Sequence, residues 1–94
     1  MNRFPGIENP TSRDRLGLEL ARQQLNLIFG MRDIRRRRGL TVEQVAVDMD
    51  TTTHRVWQIE TEGGNPTMSE LRRYAKAVGA IFRSEVTAWE DEPT

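Results

Sequence analysis

The sequence predicts a small, mostly α-helical protein built as a bundle of four to five helices. Three observations predict it. Apolar residues recur at helical spacing through long stretches free of proline. Threonines suited to N-capping stand at the heads of several such stretches. Glycine or a polar turn follows them, as at Gly39, Asp50-Thr51 and Gly63-Gly64-Asn65-Pro66.

The elements follow in order. Residues 1–11, with Pro5 and Pro10, read as an irregular arm. Thr11 or Ser12 opens a helical stretch in which Leu16, Leu20, Leu27, Met31 and Ile34 recur on one side. Gly17 and Gly30 weaken it, each by about 1 kcal/mol relative to Ala, so Gly30 is a candidate bend or split. Four arginines precede Gly39, a favourable arrangement for a helix C-terminus. Thr41 with Gln44 has capping-box spacing and starts a short helix, Val42 to about Asp48, with Val45, Ala46 and Met49 inward. Thr52 caps the next, Thr53 to about Glu60, with Val56 and Ile59 inward. Thr67 with Glu70 heads Met68 to Val78, whose stripe is Met68, Leu71, Ala75 and Val78. Residues 80–89 fit both periods. Alternation and β-branched and aromatic content favour a strand, which needs a partner such as the same segment of a second chain.

Composition narrows the function. The chain has 94 residues, 36% apolar and 30% charged. It carries no run near the ~20 apolar residues of a spanning helix. The start lacks a signal-peptide stretch, so a soluble cytoplasmic protein is expected. With no Cys and one His, there is no disulfide, no His/Cys metal cluster and no metal site, and no cofactor is expected. No nucleophile–base arrangement rises above chance, so the sequence points away from an enzyme. Glu60 and Glu62, at a helix end and a turn, have a structural explanation. Net charge is zero but uneven: +5 over residues 1–39, −4 over 40–66, +2 over 67–82 and −3 over 83–94.

Two short capped helices across a tight turn, at 41–48 and 52–60, form the core of a helix-turn-helix. Ala46 stands where they cross, and a larger side chain would part them. The outer side of the second helix is then free to enter a major groove. Met31-Arg-Asp-Ile-Arg-Arg-Arg-Arg-Gly-Leu-Thr-Val-Glu-Gln-Val-Ala46, Thr51-Thr-Thr-His-Arg-Val-Trp-Gln-Ile-Glu60 and Asn65-Pro-Thr67 together resemble the Cro/Xre-type helix-turn-helix family of phage repressors, regulators and antitoxins. The resemblance rests on joint spacing over roughly residues 27–80. The segment Leu71 to Gly79 with a following candidate strand is similar to the antitoxin branch, where that end helps dimerise. Val42, Asp50 and Glu62 depart from the pattern: many members carry a polar phosphate clamp, a turn Gly and a Gly at these places.

The resemblance implies a λ-repressor-like bundle at 27–80, with a helical extension at 12–26 and a dimerising strand or helix with an acidic tail at 81–94. It implies a structural ion pair between Arg35 and Glu60. It puts Thr53, His54 and Gln58 at base edges, with Thr52 and Arg55 nearer the backbone. Gln matches adenine and Arg matches guanine in the major groove. His54 has an alternative reading as an exposed side chain. Trp57 lies against sugars or thymine methyls, or covers the flank. Thr41, Asn65 and Thr67 belong to the expected DNA-binding set, and backbone N–H groups after Thr41, Thr52 and Thr67 offer uncharged phosphate contacts. Arg36, Arg37 and Arg38 read as a solvated face or as phosphate contacts. The expected function is a homodimeric repressor of double-stranded DNA, reading a pseudo-palindromic operator with helix 53–60. The alternative is an antitoxin that binds a protein toxin and regulates its own operon. Residues 12–29 are more apolar than the bundle requires, so they dimerise, bind a protein partner such as a toxin, or pack on their own domain.

Overall fold

A computed structural model describes residues 11–90. All but Thr11 of the expected arm (residues 1–11) and the end of the acidic tail (residues 91–94) lie outside them. Among the described residues four helices follow one another: α1 (Ser12–Arg37), α2 (Val42–Met49), α3 (Thr53–Ile59) and α4 (Met68–Val78). Among the described residues none is long and apolar enough to cross a membrane.

Local chemistry sets the boundaries. Thr11, Thr41 and Thr67 head capping boxes with Asp14, Gln44 and Glu70, and the Thr52 hydroxyl accepts from the Arg55 N–H. Each box gives partners to N–H groups that the helix itself leaves open. Asp50 ends α2 in the left-handed region (φ 56°), and Gly79 ends α4 there (φ 77°). Asp tolerates that geometry better than most side chains. The Arg73 guanidinium, from α4, donates to the Met49 carbonyl at 3.2 Å and so neutralises the C-terminal end of α2.

The core lies where the four helices converge. Ile28, Met31, Val45, Ala46, Met49, Val56, Ile59, Leu71, Tyr74, Ala75 and Val78 are all buried. Two inward assignments change. Met68 is 56% exposed, and Tyr74 faces inward with no exposed surface. The stripe of α4 is therefore Leu71, Tyr74, Ala75 and Val78, a compact i, i+3, i+4, i+7 set, with Met68 one turn beyond the core's edge.

α1 is continuous through Gly17 and Gly30 instead of splitting. Packing of Ile28 and Met31 outweighs the weak position at Gly30, and at Gly17 the cost of about 1 kcal/mol does not break a long helix. At 26 residues it is about 39 Å long. Its buried residues are Ile28, Met31 and Arg35, so the N-terminal half projects past the core. The boundary expected between extension and bundle falls inside this one helix.

Residues 80–90 form neither the expected strand nor a helix. A strand needs a ladder partner, and the described residues supply none. Ala80 and Phe82 pack on the core, and the segment runs back along α1 until the Trp89 indole N–H donates to Ser12 Oγ at 2.8 Å.

Gly64 is sterically required. A Cβ there would meet the Gln58 carbonyl oxygen at 1.7 Å, whereas one at Gly17 or Gly30 would meet nothing within 4 Å. Gly64→Ala should lower the melting temperature. Gly17→Ala and Gly30→Ala should raise stability, each by up to about 1 kcal/mol. Thermal and urea unfolding of the three variants checks this.

Candidate nucleic-acid interface

α3 is seven residues long, two turns, and cannot hold itself together alone. Val56 and Ile59 are buried completely. Its opposite side stays open: Thr52, Thr53, His54 and Trp57 are exposed and Gln58 is half-buried. Polar ties at both ends fix the helix.

The first tie is at its C-terminal end. Arg35 Nε donates to Glu60 Oε2 at 2.5 Å, and Nη2 donates to Oε1 at 3.0 Å. Arg35 Nη1 donates to the Leu40 carbonyl at 2.9 Å, and the Tyr74 hydroxyl donates to Glu60 Oε2. Arg32 Nη1 reaches the Glu60 carbonyl at 3.2 Å. This buried group joins α1, α4 and the end of α3. Burial works against the Arg35 charge, but the hydrogen bonds and charge of Glu60, with Tyr74, outweigh it and raise the guanidinium's pKa. Burial pushes the Tyr74 phenol up, and the Glu60 carboxylate adds to this, so the phenol stays a donor.

The second tie is made by Arg55, which the family resemblance puts nearer the DNA backbone. Its Nε and Nη2 grip Glu70 Oε2 and Oε1 at 2.7 and 2.6 Å. Nη1 donates to the Gly64 carbonyl at 3.2 Å and to Gln58 Oε1 at 3.3 Å. All three guanidinium nitrogens are committed, and the side chain is a brace from α3 to the start of α4. Glu70 also accepts from the Thr67 N–H at 2.9 Å. Sequence spacing revealed the capping box but not this brace, because nothing local signals a contact fifteen residues away.

The other expected residues sit around this frame. His54 and Trp57 stack, with centroids 6.0 Å apart and planes 19° off parallel. Thr41 and Thr67 cap the starts of α2 and α4, and Asn65 is exposed at φ 50° in the loop before α4. Arg37 is exposed and pairs with Asp33 at 3.0 Å. Such an exposed i, i+4 pair is worth only about 0.3–0.5 kcal/mol and exchanges readily. The Arg38 guanidinium lies over Gly79, at the opposite end of α4 from Thr67. Tyr74, Glu70 and Gly64 were not singled out for these roles by the sequence. Tyr74 had a signal, since it shares the spacing of Leu71 and Val78.

A short outward-facing helix, braced at both ends behind a capped partner helix, defines a helix-turn-helix DNA-binding domain. Residues 31–89 match the family model described as a helix-turn-helix domain, a Cro/Xre-like family, and the chain belongs to it. No curated protein and no solved structure matches the chain. Among the described residues no group of three or more His, Cys, Asp or Glu is placed to hold a metal ion.

The two ties give separate predictions. Glu60→Ala should cost about 3–5 kcal/mol by stranding a buried Arg35, and Tyr74→Phe about 1–2 kcal/mol. The double change Arg35→Met with Glu60→Leu should cost clearly less than the sum of its single changes in urea unfolding. Arg55, with lesser help from the Thr67 N–H and Arg73, holds the Glu70 carboxyl at about 2 against an ordinary 4.5. In this window the unfolded chain binds the proton more readily. The pair's stabilisation is therefore full above about pH 4.5 and lost as pH falls through 2. Melting temperatures over that range should fall less steeply for Glu70→Gln than for the natural chain.

Proposed function

We propose that this chain is a cytoplasmic, sequence-specific regulator of transcription, a homodimeric repressor that reads a pseudo-palindromic operator with α3. The observation that carries the reading is the open polar side of a helix braced from both ends. Thr53, His54, Trp57 and Gln58 contact base edges, and Thr52 contacts the flank of the groove. Thr41, Asn65 and Thr67 bring backbone N–H groups and short polar side chains to phosphates. Arg37 and Arg38, at the end of α1 and before Thr41, supply positive charge. Arg55 acts by holding α3 in position. Two such domains on one face of a duplex place their reading helices about 34 Å apart.

A second reading has one observation behind it. Leu18 and Leu20, on the part of α1 that projects past the core, are 49% and 56% exposed. An antitoxin would use residues 12–29 to hold a toxin while binding its own promoter. Co-purification with an adjacently encoded small protein favours that reading.

The test is a selection from a random duplex library at moderate salt, with mass measurement by light scattering. A dimer that retains one palindromic duplex is expected. Thr53→Ala and His54→Ala together should reduce specific affinity at least tenfold with an unchanged melting temperature, since good base contacts are each worth about 1–3 kcal/mol. Retention of no specific duplex would overturn the DNA reading.

A further inference from the structure

The outer side of α3 is unusual in its chemistry. Its one charged side chain that could have reached a groove, Arg55, is held bidentately by Glu70 and by the Gly64 carbonyl. Exposed there are Thr52, Thr53, His54 and Trp57, and Gln58 is half-buried with its Oε1 turned to Arg55. The large exposed apolar side chain there is Trp57. Trp57 is 57% exposed although the core lies one helix radius away, and its neighbour His54 stacks against it. The indole and the imidazole together form an aromatic plate on the surface that would face a duplex.

Major-groove edges offer one apolar feature, the thymine C5-methyl group. The commonest charged contact, Arg to the guanine O6 and N7, is not available from α3 while Arg55 serves as the brace. We infer that the His54–Trp57 plate is the specificity-determining element of α3 and that it covers thymine methyl groups, so each half-site is centred on T·A pairs. This rests on the DNA-binding reading above. It also separates two parts of the binding energy. Trp57 and His54 discriminate sequence with no ionic contribution from Trp57. Salt-dependent affinity comes from arginines elsewhere, such as those at the end of α1.

The probe is the duplex selected by the natural protein, with its thymines replaced one at a time by deoxyuridine, which removes only the methyl. Affinity should fall about fourfold for each covered methyl, at one or more positions in each half-site. Trp57→Ala should bind thymine and deoxyuridine duplexes equally at those positions. Its slope of log affinity against log salt should match that of the natural protein, because no phosphate contact is lost. If the natural protein binds the selected duplex and no deoxyuridine changes its affinity, the inference is overturned and the DNA reading stands. Equal losses on both duplexes for Trp57→Ala overturn it too, and assign the indole to sugars or to a protein partner. If no duplex is selected, the DNA reading itself fails. The deoxyuridine series on the natural protein decides the matter even if Trp57→Ala does not fold.

Discussion

The structure depends on one buried contact, the carboxylate of Glu60 held by Arg35 and Tyr74. α3 buries only Val56 and Ile59 from within its own length. Two apolar side chains secure a short helix against the core but do not fix its angle. The Glu60 carboxylate does so by accepting from α1 and α4 together, while the Glu60 carbonyl accepts from Arg32. A buried ion pair adds little net stability over a well-packed apolar substitute. Its contribution here is geometric: the donors are directional, so α3 has one seating on its neighbours.

The same economy explains the charge distribution. The chain is electrically neutral, and its helix-turn-helix segment is acidic. Several arginines serve the protein itself. Arg35 and Arg55 hold carboxylates, while Arg32 and Arg73 satisfy carbonyls at helix ends. Arg suits these positions because its planar fork makes two parallel hydrogen bonds where an ammonium makes a point contact. The exposed cations Arg36, Arg37 and Arg38 cluster at the end of α1, outside α3. The reading helix is thus left largely uncharged and partly aromatic.

α1 joins two environments. Its C-terminal third carries Ile28, Met31 and Arg35 into the core. Its N-terminal half has leucines with no core to enter and is accompanied by the returning segment that ends at Trp89. The family match begins at Met31, within this helix, and continues through Trp89. The leading half of α1 precedes the matched residues and runs into them as one continuous helix.

The sequence by itself determined the local structure. Caps at Thr11, Thr41, Thr52 and Thr67, the Asp50 turn and the inward sets Val45–Ala46–Met49 and Val56–Ile59 could all be read from spacing, because they depend on neighbours within one or two helical turns. The outward side of α3 could be read for the same reason. Tertiary structure decided what depends on distant partners. It made Arg55 a brace between α3 and α4, because Glu70 arrives from another helix with both oxygens in reach. It put Tyr74 in the core and left Met68 outside, since burial reflects where a neighbouring helix stops and not the period alone. It kept α1 whole, because packing of Ile28 and Met31 outweighs the weak position at Gly30. It left residues 80–90 without a ladder, because a strand is a property of a pair and the described residues hold no second member.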